Sequence, residues 1–91
     1  MNEEVMNKWF VYILRCADNS LYTGITTDIE RRVKEHNDDN RRAAAYTRAR
    51  RPLELVYSES HESRSKATKR ELEIKKLSRI QKQTLFSINK T

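Results

Sequence analysis

The sequence predicts an α+β domain, a small three-stranded antiparallel sheet flanked by helices, and three observations carry the prediction. An aromatic and β-branched run, Trp9-Phe10-Val11-Tyr12-Ile13-Leu14, is followed almost at once by a second strand-like segment, Leu21-Tyr22-Thr23-Gly24-Ile25. So short a connection forces the two to pair antiparallel. Helix-start signals then lie on either side of a third alternating segment, which gives the order strand, strand, helix, strand, helix, helix.

Residues 1–7 read as a polar tail, and the domain is expected over residues 8–85, with 86–91 as a second tail. Asp18-Asn19-Ser20 supplies the hairpin loop, which pairs Tyr12 with Thr26 and Tyr22 with Cys16. Tyr12, Leu14 and Cys16 then share a face with Tyr22 and Gly24. Thr27-Asp28-Ile29-Glu30 has capping-box spacing, so a helix starts at Asp28 and runs to about Asn37. A glycine-free loop, residues 38–51, follows up to Pro52. Leu53-Glu54-Leu55-Val56-Tyr57-Ser58 alternates as a third strand, with Leu53, Leu55 and Tyr57 on one face. Ser63 caps a second helix through Leu77, and the box Ser78-Arg79-Ile80-Gln81 starts a last short one through about Leu85.

The 91 residues suffice for one domain. With 19 Lys and Arg against 13 Asp and Glu, the formal net charge of +6 favours a polyanionic partner, nucleic acid first. No apolar run could span a bilayer, and the start Met1-Asn2-Glu3-Glu4 lacks the basic flank of a secretory signal, so no membrane partner and a cytoplasmic location are expected. Cys16 is the single cysteine, which excludes both an internal disulfide and a Cys-rich zinc site.

On the first helix Ile29 and Val33 define the inward stripe, with Arg32 and His36 at its margin and Arg31 toward solvent. An inward guanidinium needs an anion, either a carboxylate or a bound phosphate. On the second helix Glu71 falls in the stripe of Ala67 and Ile74, an inward carboxylate that could serve as a structural partner of Arg32 or as a functional group. Gly24, the sole glycine, marks a place where a backbone or a ligand approaches closely.

Phe10-Val11-Tyr12 and Tyr22-Thr23-Gly24 resemble the two signature triads of the GIY-YIG nucleases. The resemblance spans most of the chain. It sets Arg32 and His36 at the positions of the family's helix arginine and histidine, and Glu71 at that of its metal-binding glutamate. Tyr46-Thr47-Arg48, Arg51-Pro52-Leu53 and Glu73-Ile74-Lys75-Lys76-Leu77 are similar to segments of the small stand-alone bacterial branch. The first triad lacks its Gly-Ile, and the loop after His36 lacks the usual glycines.

The resemblance implies a divalent-metal-dependent endonuclease acting on phosphodiesters, with DNA favoured over RNA. Glu71 would hold one Mg²⁺ or Mn²⁺ and Arg32 a non-bridging oxygen. Tyr12 would be the general base and Tyr22 its partner, roles that could be exchanged, while His36 orients a tyrosine or the phosphate. Arg41, Arg42, Arg48, Arg50 and Arg51, which meet no anion in the sequence nearby, and Lys66, Lys69, Lys75 and Lys76 on the second helix would contact phosphates. Two alternatives stay open: a non-catalytic nucleic-acid-binding module of the same fold, and a domain binding acidic proteins.

Overall fold

The aromatic and branched residues of Trp9–Arg15 form β1, the central strand of the sheet. In the computed structural model, which describes residues 8–88, β1 is flanked by β2 (Leu21–Thr26) and β3 (Glu54–His61) in the order β2-β1-β3, both pairings antiparallel. Among the described residues the helices are α1 (Ile29–Asp38), α2 (Ala45–Arg48), α3 (Arg64–Lys75) and α4 (Arg79–Ile88). The α+β expectation holds. Among the described residues no helix is long and apolar enough to cross a membrane.

The hairpin register differs from expectation by two residues. Cys16 N–H donates to Ser20 O at 2.9 Å, and Asn19, in the left-handed region at φ 72°, donates to Cys16 O at 2.8 Å. Asp18 accepts from both the backbone and the hydroxyl of Ser20 and so draws Ser20 into the ladder. The loop is therefore Ala17-Asp18-Asn19, and Tyr12 pairs with Gly24 and Leu14 with Tyr22. A two-residue shift preserves parity, so the faces remain as expected.

Asp28, expected as the first helical residue, is instead the cap of α1, its Oδ1 accepting from Arg31 N–H at 3.0 Å. Within the segment expected as plain loop, the alanine-rich stretch ahead of Tyr46 winds into the single turn of α2. α3 is capped by Ser63 as expected but stops at Lys75, short of Leu77. The reciprocal box at the next helix forms: Ser78 N–H donates to Gln81 Oε1 and Gln81 N–H to Ser78 Oγ. The domain end expected at residue 85 falls inside α4, where Phe86 is buried. The expected tail over 1–7 and residues 89–91 lie outside the described residues.

β3 is longer than its apolar pattern suggests, because Glu59 takes hydrogen bonds from Tyr57, His61 and Arg70 and makes a polar stretch viable as strand. It also carries a bulge: Ile13 pairs with Tyr57 while the next residue, Leu14, pairs with Leu55. The extra residue breaks the alternation, so Leu53 and Tyr57 do not share a face. Leu53 packs with Tyr12, Leu14 and Cys16, whereas Val56 and Tyr57 pack with Val11, Ile13, Ala67 and Ile74. The sheet thus separates two apolar clusters, one on the α3 and α4 side and one toward α1.

Candidate active site

Tyr12 stands on the central strand opposite Gly24 and is almost wholly buried. Its ring lies across β2 over Gly24, where no side chain obstructs it. The phenolic oxygen is 2.9 Å from Nε2 of His36, which α1 turns inward to full burial. His36 Nδ1 in turn lies 2.8 Å from the hydroxyl of Thr47 on α2.

Tyr22 shares this face and is half-buried, its ring centroid 6.5 Å from Tyr12 and 5.3 Å from His36, edge-on to the imidazole. On its outer side it stacks on Tyr46 at 6.0 Å, and the Arg50 guanidinium sits 3.8 Å from the Tyr46 centroid. Arg32 donates to Glu35 at 2.9 Å and to the Arg42 carbonyl at 2.8 Å. Its partner is therefore Glu35, one turn on, and not Glu71.

Burial pushes the Tyr12 phenol up to about 12, helped by the neighbouring Tyr22 and Glu71 charges and opposed by Arg32. Burial pushes His36 down to about 4, reinforced by the Arg32 and Arg51 cations and opposed by Glu35. Desolvation works against charge on Arg32, but Glu35 and Tyr12 outweigh it and its pKa rises. At neutral pH the centre holds a protonated phenol, a neutral imidazole and a fixed cation.

Glu71 reaches this centre from the other layer, since α3 covers the Val11 and Ile13 face of the sheet. The carboxylate, 16% exposed, is close enough for its charge to act on Tyr12, and its ion-pair partner is Lys75 at 3.3 Å. Among the described residues no three His, Cys, Asp or Glu side chains cluster to hold a metal. A lone hard carboxylate in this position still suits Mg²⁺, which keeps several waters and needs one or two carboxylates beside substrate phosphates.

A family model described as the GIY-YIG catalytic domain matches residues 8–84. The chain belongs to the GIY-YIG family. UPF0213 protein DP2720 of Desulfotalea psychrophila is 58% identical over 77 residues, covering 85% of this chain and 69% of that protein. UPF0213 protein SSP2268 of Staphylococcus saprophyticus is 50% identical over 82 residues, covering 90% and 98%. The solution structure of protein EF2693 from E. faecalis matches at 41% identity and a TM-score of 0.62, over 93% of this chain and 90% of that one. Membership in this nuclease family implies a nucleic-acid substrate and a divalent metal.

The arginines of this GIY-YIG chain are less free than the sequence suggests. Arg42 pairs with Asp39 at 3.4 Å and Arg50 with Asp18 at 3.1 Å, so two of the five do meet an anion. Arg48 donates to Asn40 O, and Arg51 donates to His36 O and to Asn40 Oδ1, which ties it to the last turn of α1. Arg41 is exposed. On α3, Lys66 pairs with Glu62 and Lys75 with Glu71, while Lys69 and the following Lys76 are exposed.

Sequence reasoning gives Thr47 no role, yet it is as buried as His36 and bonded to it. The signal available was indirect: a histidine turned inward must find partners for both ring nitrogens. The short α2, hidden in the supposed loop, supplies one of them.

Proposed function

We propose that this chain is an Mg²⁺- or Mn²⁺-dependent endonuclease, DNA its favoured substrate, in which Tyr12 accepts the proton of the attacking water. The observation that carries the reading is the buried Tyr12–His36 hydrogen bond with Arg32 beside it and the Glu71 charge in range.

Tyr12 directs its own proton to His36 Nε2, which leaves the lone pairs of its oxygen to receive a proton from water. As the water oxygen bonds to phosphorus, its proton passes to Tyr12 and the Tyr12 proton moves along the existing bond toward His36. Arg32 is held by Glu35 and the Arg42 carbonyl at a fixed position, from which it meets the charge gathering on a non-bridging phosphate oxygen. Glu71 would hold the ion, whose chemistry is to stabilise the departing oxygen. Cancelling the Glu71 charge also removes one of the influences that keep the Tyr12 phenol protonated. Tyr22, wedged between His36 and Tyr46, walls the site and orders the water.

Exposed Arg41, Arg48, Lys69 and Lys76 supply phosphate contacts, which position a strand without reading its sequence. The test is incubation of purified protein with labelled single-stranded, duplex and branched DNA and RNA, with Mg²⁺, Mn²⁺ or chelator. Metal-dependent cleavage abolished by Glu71→Gln is the expected result. Binding without cleavage of every substrate would leave a non-catalytic module instead.

A further inference from the structure

We infer that Thr47 is a positioning residue for the proton path, because its hydroxyl holds His36 in the tautomer whose Nε2 can accept the Tyr12 proton. The inference rests on the nuclease reading for its catalytic meaning, while its structural half stands alone.

The argument is a count of hydrogens. The Thr47 hydroxyl lies 2.9 Å from the Ala44 carbonyl and 2.8 Å from His36 Nδ1. A carbonyl can only accept, and a threonine has one hydroxyl hydrogen, so that hydrogen goes to Ala44 O. The contact with His36 must then be donated by Nδ1–H. A neutral imidazole carries one N–H, so Nε2 is left as an acceptor, and the 2.9 Å contact there is donated by the Tyr12 hydroxyl. The path reads Tyr12 O–H to His36 Nε2, His36 Nδ1–H to Thr47 Oγ1, Thr47 O–H to Ala44 O.

Both Thr47 and His36 are fully buried, so no water competes for these partners. Free neutral histidine favours the opposite tautomer, with the proton on Nε2. In that form Nε2–H would donate to the Tyr12 oxygen and occupy a lone pair needed for water. The ring nitrogens are equally buried in either form, so the choice falls to Thr47, anchored by the single turn of α2. The sequence neighbour Tyr46 stacks on Tyr22, so one helical turn braces both tyrosines.

The test is the ¹⁵N shifts of the His36 ring in the wild type, in Thr47→Val and in Thr47→Ser, with no substrate present. The wild type should show a protonated Nδ1 and a bare Nε2; Thr47→Val should move the signals toward the opposite tautomer; Thr47→Ser, which keeps the hydroxyl, should restore them. On a cleaved substrate, Thr47→Val should lower kcat about tenfold with KM little changed, as loss of an orienting partner typically does. A wild-type His36 protonated on Nε2 overturns the inference even if Thr47→Val fails to fold. So does a folded Thr47→Val with unchanged ring shifts, or a serine variant that behaves like valine. Absence of cleavage by the wild type would count against the nuclease reading and leave the tautomer result to be judged by itself.

Discussion

Tyr12 and Gly24 face each other across β1 and β2 so closely that a Cβ on residue 24 would lie 2.5 Å from the Tyr12 hydroxyl oxygen. The phenol cannot retreat without giving up His36, because the ring is enclosed on all sides. Gly24→Ala should therefore cost about 1–3 kcal/mol of stability by overpacking and break the Tyr12–His36 bond. Denaturant melts, with the tyrosine and histidine ring resonances as a local probe, check this. An alanine variant with wild-type stability and ring shifts would show that the contact is not needed.

Tyr12→Phe keeps the ring over Gly24 and removes only the oxygen. It should leave His36 Nε2 buried and unpaired, at a cost of roughly 1–3 kcal/mol, and lower cleavage at least a hundredfold, the low end for loss of a general base. Affinity for the same oligonucleotide should be unchanged. Retained cleavage in a folded Tyr12→Phe protein would transfer the base role to Tyr22.

His36 sets a pH dependence of stability. Its folded value, about 4, lies below the unfolded value of about 6.5. Between those limits the unfolded chain binds the proton and the folded one does not, so stability is fully present above about pH 6.5 and declines as pH falls toward about 4. Melting temperatures from pH 7.5 to pH 4.5 should fall, and by less in His36→Gln. An identical decline in both proteins would assign the effect to other groups.

Glu71→Gln separates a metal ligand from a structural ion pair. Arg32 is held by Glu35, so the change strands no buried guanidinium, and the lost Lys75 pair is half in solvent. Melting temperature should stay within a few degrees, nucleic-acid affinity should persist and metal-dependent cleavage should vanish. A large drop in melting temperature with cleavage intact would identify Glu71 as structural.

The arginines should divide in effect. Arg41→Ala should weaken binding across sequences and lower the salt slope by about one, with stability unaffected. Arg51→Ala should instead lower melting temperature, since Arg51 bonds the end of α1 and the His36 carbonyl. Salt titrations of affinity beside thermal melts distinguish the two, and equal effects on both readouts would refute the division.

The strands, the capped helices and the faces on which Tyr12 and Tyr22 lie were legible because alternation and capping are local signals. The hairpin loop slipped by one residue because Asp18 recruits Ser20 through its side chain, a choice between adjacent polar residues that pattern cannot resolve. The bulge in β3 was invisible for a related reason: alternation assumes regular pairing, and only contact with β1 reveals the extra residue. The inward side of α3 could be read from Ala67 and Ile74, but not which layer of the sheet it would cover. Likewise the anion expected beside Arg32 was left open between a carboxylate, with Glu71 named, and a bound phosphate, whereas α1 itself supplies Glu35 one turn away.

That bulge binds the domain into one mechanical unit. β3 lends Leu53, from the residue just before it, to the Tyr12 cluster, and Val56 and Tyr57 to the cluster beneath α3. A single strand thus serves as hinge pin for two layers, one bearing the tyrosines and one bearing Glu71. The bulge sets Val56 and Tyr57 side by side against the α3 layer, so deleting Val56 would leave Leu53 and Tyr57 on their present faces and remove one of that layer's two anchors on β3. Tyr12 on β1 and Glu71 on α3 are thus held in relation by the whole sheet, since α3 packs on β1 and β2 as well as on β3.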